Sequence, residues 1–250
     1  AQNNTLLPGW LAKPLGWIGS GTGLIFRLGP LGWGTLAIYW SNLPWPAARL
    51  ALAAVFLVFG VWALWFGRKP GMPRAFAAVF LAVLSWWWMI PPSDDRNWRE
   101  EAAVKPRVEI DGDRILIRNV RNFDFRSRDD FTAIYEDREV SLAHLQGVDF
   151  FLSFWMEGPV GHTWVSFLFD NAPPLSISIE TRPEKGEGFD PLASMFKQFE
   201  LIYIIGDEHD VVGLRTNHRS EETFLFHVVA SPEAARRLFL VYLERINELA

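Results

Sequence analysis

The side chain of this chain best suited to acid–base chemistry is His162, which opens a run of alternating polar and apolar residues. The next alternating run along the sequence carries a carboxylate, Glu180. An imidazole held by a carboxylate keeps one tautomer and gains basicity, as a general base for a nucleophile requires. A lone histidine on a strand is more often structural than catalytic, so both interpretations stay open at this point.

Two predicted strands position these side chains, because residues that alternate along a strand point to opposite faces. In residues 162–169 the apolar face carries Val165, Phe167 and Phe169, and the other face carries His162, Trp164 and Ser166. In residues 175–181 the apolar face carries Leu175, Ile177 and Ile179, and the polar face carries Ser176, Ser178 and Glu180. We expect a hairpin in which Phe169 pairs with Leu175. Glu180 and Arg182 then share a face with His162.

The C-terminal part of the chain predicts an α+β domain with a mostly antiparallel sheet and two packed helices. Asp111-Gly112 is a favoured turn pair and predicts a hairpin of residues 107–110 and 114–120. Residues 148–155 are nearly all apolar, which is typical of a central strand. Further strands are predicted at residues 131–140, 201–205, 211–216 and 223–229.

The two helices are predicted from their first residues and their apolar stripes. Asp190-Pro191 is a capping residue followed by a first-turn proline. The apolar residues expected to pack this helix on the sheet are Leu192, Met195, Phe196 and Phe199. Ser231-Pro232 opens the second helix. Its predicted stripe consists of Ala235, Leu238, Tyr242, Ile246 and Leu249.

The N-terminal part of the chain has a different composition. No aspartate or glutamate precedes Asp94, whereas all 29 acidic residues follow from there, and ten of the 13 tryptophans lie in the acid-free part. Tryptophan is enriched at bilayer surfaces. Uncharged apolar runs predict membrane spans at residues 50–66 and 75–91. A buried hairpin of a soluble protein is the alternative, but neither run has a polar face.

A third span is predicted at residues 28–43, which are apolar but rich in glycine, and an interfacial segment is the alternative there. We therefore expect a membrane anchor over residues 1–92 and a linker over residues 93–105. An α+β domain follows over residues 106–250, and we expect it to be incomplete at its C-terminus. The turn at residues 67–74 is cationic, which predicts that it is cytoplasmic and that the domain lies on the opposite side of the membrane.

Composition also disfavours several functions. The chain has no cysteine, so it offers no disulfide, no thiolate ligand and no thiol nucleophile. The 18 basic and 29 acidic residues after residue 93 disfavour nucleic acid as a partner. The adjacent acidic and histidine residues 208–210 lack metal-ligand spacing, so we expect neither a metal site nor a cofactor. Arg215, Asn217 and Arg219 could form an anion-binding edge, although a solvated charged loop is the simpler interpretation.

Several longer runs occur together and in a fixed order. They are NVRNFDFRS (119–127), GHTWVSF (161–167), SIETRPEKGEGF (178–189), FKQFELIYIIGDEHDV (196–211), LRTNHR (214–219) and YLERINELA (242–250). Together they resemble the Lnb-type N-terminal periplasmic domain family of Gram-negative bacteria, over about residues 91–250. The resemblance implies a multi-pass protein of the bacterial inner membrane. Its periplasmic domain would be part of a papain-like, NlpC-type thiol-enzyme fold in permuted order, with histidine before cysteine.

The resemblance also implies an activity, because family members with an assigned role are lipoprotein N-acyltransferases. These enzymes move a fatty acyl chain onto the N-terminal amine of a lipoprotein. His162 matches the family histidine, and the implied mechanism is a thiolate activated by His162, with Glu180 or Ser178 as its orienter. The implied partners are membrane lipids and a lipoprotein or acylated substrate at the outer leaflet.

The family cysteine lies in an Asn-Cys-Thr-Thr stretch after the last helix, and this chain does not contain it. As it stands, the chain should therefore be inactive, and a full-length protein would have to supply the nucleophile. Two other functions stay open. One is a non-catalytic envelope module that binds lipid or lipoprotein, and the other is a thiol hydrolase acting on peptide or ester bonds.

Overall fold

The computed structural model describes residues 9–155, 157, 158 and 160–250, with side chains from residue 23 onward. The chain divides into two compact units. The helical unit contains the described residues up to Ser93 together with Asp190–Gln198. The sheet unit contains Asp94–Phe189 and Phe199–Ala250.

The helical unit is built from helices α1 (Gly9–Tyr39), α2 (Pro46–Val61), α3 (Met72–Met89) and α4 (Pro191–Ser194). A π-helical turn, Trp62–Phe66, continues α2. Among the described residues, α2 with this turn and α3 are the two helices long and apolar enough to cross a membrane. The spans predicted at residues 50–66 and 75–91 fall on these helices. The span predicted at residues 28–43 overlaps the end of α1 and stays a prediction.

Two glycines allow close packing of α1 and α2. A Cβ at Gly34 would lie 2.7 Å from Cζ of Phe56, and a Cβ at Gly60 would lie 2.4 Å from Cδ1 of Leu31. Small residues at helix contacts are typical of membrane helices. The outward side chains are apolar, as in Val58, which is 68% exposed. Helices without a polar face fit a lipid environment better than the surface of a soluble protein.

The described part of the sheet unit contains ten strands. They are β1 (Arg107–Asp111), β2 (Arg114–Arg121), β3 (Asp124–Phe125), β4 (Phe131–Thr132), β5 (Tyr135–Ser141), β6 (Leu145–Phe154), β7 (His162–Phe169), β8 (Leu175–Arg182), β9 (Glu200–Gly206) and β10 (Glu222–His227). Eight form one sheet in the order β1-β2-β9-β8-β7-β6-β10, with β5 also paired to β2. Among the described strands, only β2 and β9 pair in parallel, at Arg121 and Gly206. The predicted α+β class with a mostly antiparallel sheet is confirmed.

Helix α6 (Pro232–Leu249) covers one face of this sheet. Its buried side chains are Ala235, Phe239, Leu243 and Ile246. They pack against Phe167, Leu175 and Ile177, which belong to the apolar faces predicted for β7 and β8. The predicted helical stripe was partly wrong, because Leu238 and Leu249 are 37% and 40% exposed. The stripe that faces the sheet instead runs through positions 235, 239, 243 and 246.

Residues 211–216 are not the strand predicted from their alternation. They form the end of helix α5 (Glu208–Gly213) and the start of a π-helical turn, Leu214–His218. Asp207 caps this helix, since its carboxylate accepts the backbone N–H of His209. Val211 and Leu214 are both buried, and their spacing of three residues suits one face of a helix.

The helix predicted after Asp190 is short and packs elsewhere than expected. Asp190 accepts the backbone N–H groups of Leu192 and Ala193, as predicted for a cap, but α4 ends at Ser194. Lys197 has φ 58°, a left-handed conformation that cannot continue a right-handed helix. Phe196 contacts aromatic rings of the helical unit, so the predicted packing of this segment on the sheet is wrong.

Candidate functional site

His162 is the first residue of β7, which lies between β6 and β8. The preceding residue, Gly161, permits the close approach of β6. A Cβ at Gly161 would lie 2.7 Å from Cδ1 of Leu152 and 3.2 Å from the carbonyl oxygen of Ser153. A larger residue would push the two strands apart, so Gly161 fixes the point at which His162 joins the sheet.

The pairing of β7 with β8 differs by two residues from the predicted hairpin. Phe167, rather than Phe169, lies opposite Leu175. Phe169 pairs on its other side with Leu145 of β6. Two prolines precede β8 and cannot donate backbone hydrogen bonds. The ladder between β7 and β8 therefore begins at Phe167 and Leu175, two residues further from the turn along β7 than predicted.

A shift of two residues keeps every side chain on its predicted face, because strands alternate with a period of two. Trp164 now lies opposite Ser178. Continued toward the start of β7, this register brings Glu180, instead of Arg182, to the level of His162. The predicted sharing of a face by the imidazole and the carboxylate is therefore correct, and their separation is shorter than the predicted register gives.

Three side chains from the two strands form a hydrogen-bonded cluster. Nε2 of His162 lies 2.8 Å from Oγ of Ser178 and 3.1 Å from Oε1 of Glu180. The hydroxyl of Ser178 donates to the same oxygen of Glu180 at 2.6 Å. The structure thus brings together all three residues that the sequence proposed for the site.

This arrangement assigns the tautomer of His162. Because the Ser178 hydroxyl proton is directed to the carboxylate of Glu180, Nε2 of His162 must be the donor toward both oxygen atoms. In the neutral ring, Nδ1 then carries the lone pair. Nδ1 has no hydrogen-bond partner among the described residues. The ring is therefore arranged to accept a proton at Nδ1.

A buried arginine neutralises the carboxylate from the other side. Arg215 lies in the π-helical turn and is 5% exposed. Its Nη2 donates to Oε1 of Glu180 at 2.6 Å, and its Nη1 donates to Oε2 of Glu221 at 3.0 Å. Glu221 in turn accepts the hydroxyl of Ser153 at 2.6 Å. The imidazole is thus connected to a chain of buried charged groups.

The charge state of Glu180 follows from two opposing effects. Burial alone would raise the pKa of its carboxyl, because a low dielectric disfavours the charged form. The guanidinium of Arg215 and the contacts from His162 and Ser178 outweigh burial and hold the pKa of Glu180 well below its usual range. Glu180 is therefore an anionic acceptor for the imidazole at any physiological pH.

Aromatic rings pack against the cluster and hold it in place. The indole of Trp164 stacks on His162 with 5.9 Å between ring centroids and on Phe151 with 5.0 Å. The guanidinium carbon of Arg215 lies 4.8 Å from the Trp164 ring centroid, a cation–π distance. The buried indole N–H of Trp164 has no acceptor among the described residues, so one donor beside the imidazole is unused.

Ser178 is suited to orient the imidazole and not to act as a nucleophile. Its side chain is 1% exposed in the middle of β8, so no substrate carbonyl can reach it. Its proton is also directed to Glu180 and not to the histidine. No cysteine is present in the 250 residues. The described residues thus provide an imidazole and two side chains that hold it by hydrogen bonds, without a thiol.

Sequence reasoning missed three members of this cluster: Arg215, Glu221 and Ser153. Arg215 was assigned to an exposed edge, whereas it is buried between two carboxylates. The usable signal was Glu180, since a carboxylate predicted on a half-buried strand face requires a positive partner. The sequence does not show that the partner comes from the helical connection between β9 and β10.

Asp210, at the end of the stretch 208–210, has a structural role. The carboxylate of Asp210 is fully buried and lies 2.6 Å from Nη2 of Arg121. It also accepts the backbone N–H of Phe123 at 2.8 Å. Within the described ranges, no group of three or more histidine or acidic side chains could hold a metal ion.

The chain was compared with known proteins. The family model described as Lnb N-terminal periplasmic domain matches residues 131–250. This range contains His162, Ser178, Glu180, Arg215 and Glu221. No curated protein and no solved structure was found to match the chain.

Proposed function

We propose that this chain is part of a thiol-dependent acyltransferase that acts on lipoproteins, because the family model of the Lnb N-terminal periplasmic domain matches residues 131–250. The observation that carries the proposal is the imidazole of His162, which Ser178 and Glu180 fix with Nδ1 unpartnered among the described residues. A histidine in this state is the base that a thiol nucleophile needs. The resemblance of residues 161–167 to this family also implies that His162 is the family histidine.

The proposed location follows from the two units. A periplasmic domain family together with two candidate membrane helices indicates a membrane-anchored protein. We propose more specifically a multi-pass protein of the bacterial inner membrane, with the cationic turn at residues 67–74 in the cytoplasm. The acyl donor and the lipoprotein would then both be available at the outer leaflet of that membrane.

In the first half-reaction, Nδ1 of His162 takes the proton of the thiol. The thiolate attacks the carbonyl carbon of an acyl ester, and the carbon–oxygen bond of the ester breaks. The alcohol leaves with the proton that His162 had taken, and the acyl group remains as a thioester. Glu180 stabilises the transient imidazolium through Nε2 at 3.1 Å, as the carboxylate does in other triads.

In the second half-reaction, the N-terminal amine of the lipoprotein attacks the thioester. An amide bond forms, the carbon–sulfur bond breaks, and His162 passes the amine proton to the leaving thiolate. The original thiol is regenerated, so the cycle needs no oxidant and no cofactor. The 250 residues contain no cysteine, so the proposed thiol must come from sequence that they do not include.

The absence of cysteine from the 250 residues favours a second candidate function. A domain without a thiol could bind a lipid or a lipoprotein beside His162 without changing it. A thiol hydrolase is a variant of the first proposal, in which water replaces the amine in the second half-reaction. The three functions differ in whether a lipopeptide is acylated, hydrolysed or only bound.

The test is acyl transfer by the full-length protein, measured by mass spectrometry on a synthetic diacylated lipopeptide with phospholipid as the acyl donor. Replacing His162 by alanine should lower the rate by about 10²–10⁴-fold, the usual contribution of a general base. His144→Ala is a matched control, because His144 pairs with Asp170 in an exposed position outside the site. It should transfer at nearly the wild-type rate.

The readout separates the three functions. Free fatty acid in place of the amide would indicate the hydrolase, and binding of the lipopeptide without either product would indicate the binding module. Transfer by His162→Ala at the wild-type rate would refute the assigned base.

A further inference from the structure

The segment Asp190–Gln198 leaves the β-sheet part of the sequence and belongs to the helical unit. Its central aromatic residue, Phe196, stacks on Trp40 with 5.5 Å between ring centroids, and it lies 6.1 Å from Trp33. The indole N–H of Trp87 donates to the carbonyl oxygen of Phe196 at 3.4 Å. Side chains of both α1 and α3 therefore hold this segment.

Lys197 attaches the segment to the end of α3. Its ammonium group lies 3.2 Å from the carbonyl oxygens of Trp87 and Trp88 and 3.4 Å from that of Ile90. It also lies 4.7 Å from the centroid of the Trp87 ring. The last carbonyls of a helix lack partners within the helix, and a cation there is stabilised by the helix dipole. Lys197 thus caps α3.

This cap defines the level of the segment along α3. The helix begins beside the cationic turn, which contains Arg68 and Lys69, and it has 18 residues. At about 1.5 Å per residue it is roughly 27 Å long, close to the thickness of a bilayer's hydrocarbon core. A segment attached to its far end is therefore placed at the opposite membrane interface.

The same segment exposes apolar side chains. Met195 is 71% exposed and Leu192 is 46% exposed, although both stand next to well-packed residues. At the end of α3, Trp88 and Met89 are 75% and 71% exposed. Such side chains are typical of surfaces that lie at the boundary between headgroups and acyl chains.

We propose that Asp190–Gln198 is a membrane-interface segment, in which Leu192 and Met195 enter the outer-leaflet surface of a phospholipid bilayer. The partner is the lipid surface itself, because Lys197 attaches the segment to the end of α3, a candidate span whose exposed side chains there are also apolar. The segment would then be a second membrane contact, distant in sequence from the anchor. It rests on the membrane location of the helical unit and does not depend on acyl transfer.

The 250 residues contain no cysteine, so single cysteines can be labelled once any cysteine elsewhere in the full-length protein has been replaced by serine. Leu192→Cys, Met195→Cys and Trp88→Cys would each carry a nitroxide label, in vesicles of equal parts phosphatidylethanolamine and phosphatidylglycerol. Collisions with oxygen and with a nickel chelate, measured by electron paramagnetic resonance, report lipid and water exposure. Ala143→Cys is the water reference, since Ala143 is exposed among polar residues of the sheet unit.

We expect labels at positions 192 and 195 to show an oxygen-to-nickel collision ratio several-fold above that at position 143 and similar to that at position 88. A ratio at 192 and 195 equal to that at 143, with position 88 in lipid, would overturn the interface segment and leave the anchor intact. Water exposure at position 88 as well would overturn both the segment and the membrane location. Neither result depends on the outcome of the acyl-transfer assay.

Discussion

Two buried arginine–carboxylate pairs lie in the sheet unit. They differ in how many carboxylate oxygens the arginine contacts and in how exposed the carboxylate is. Arg121 contacts both oxygens of Asp210 through Nε and Nη2, and Asp210 has no exposed surface. Arg215 contacts a single oxygen of Glu180 at 2.6 Å. That oxygen also receives the imidazole of His162, and the Glu180 side chain is 29% exposed.

The comparison teaches which feature separates a purely structural pair from the pair in the candidate site. In the first pair all strong acceptor positions are occupied by an arginine and a backbone N–H, so the pair can only hold β2 to α5. In the second pair the arginine fixes the charge of a carboxylate, and the carboxylate fixes a side chain that can gain a proton. Burial of an ion pair alone does not identify a site.

The largest effect is expected from breaking the fully buried pair of Arg121 and Asp210. Arg121→Met leaves the fully buried carboxylate of Asp210 without its counter-charge and should cost about 3–5 kcal/mol of stability. Hydrogen exchange of β7 and β8 peptides, read by mass spectrometry, measures the sheet unit separately from the helical unit. Adding Asp210→Asn to this variant should recover part of the loss. A loss below about 1 kcal/mol would mean that water or another residue replaces Arg121.

A smaller loss, about 1–3 kcal/mol, is expected for Arg215→Met, because water can replace some of the lost partners of the partly exposed Glu180. The buried Glu221 also keeps its contacts with Ser153 and Arg219. The pKa of Glu180 should rise, since the guanidinium is the main group that lowers it. Carbon-13 chemical shifts of the carboxyl group during a pH titration measure this change. Arg215→Lys keeps the charge and should restore most of the lowered pKa. An unchanged Glu180 titration in Arg215→Met would contradict the assigned coupling.

The site was predictable in proportion to how local its contacts are. His162, Ser178 and Glu180 lie on two consecutive strands, so alternation alone placed them on one face, although prolines before β8 shifted the pairing by two residues. Arg215 comes from a helical turn after β9, and its place depends on how α5 packs. Alternation in residues 211–216 suggested a strand, because a short helix with buried Val211 and Leu214 gives a similar apolar pattern.

The two candidate membrane helices were predictable for a different reason, since length and the absence of charge need no tertiary information. The fate of residues 190–198 was not predictable. Phe196 has the same apolar character whether it packs on the sheet or against the tryptophans of the helical unit, to which it belongs. Only the left-handed Lys197 and its contacts with the end of α3 distinguish the two arrangements.

The loss of folding stability at low pH offers a finer comparison, between the wild type and a variant without the Glu180 carboxylate. Because the pKa of Glu180 is lowered in the folded state, its stabilising effect is present above the ordinary value of 4.5 and is lost as the pH falls below it. Each pH unit over which only the unfolded chain binds this proton costs at most about 1.4 kcal/mol. Glu180→Gln removes the titration and should lose stability less steeply below that pH. Hydrogen exchange measures this loss. If wild type and variant lost stability equally steeply below pH 4.5, the pKa of Glu180 would not be lowered in the folded state.

The smallest effect is expected at Arg118, whose contacts are nearly as short as those of Arg215 but which is much less buried. Its guanidinium lies 2.8 Å from Glu109 and 3.1 Å from Asp137, and all three side chains are about half exposed. Water and salt screen such pairs, so Arg118→Met should cost about 0–1 kcal/mol, and added salt should remove the difference. The same exchange measurement applies. If this variant lost as much stability as Arg215→Met, short contact distance and not burial would determine the strength of these pairs, and the distinction between the site and the rest of the sheet would have to rest on His162 alone.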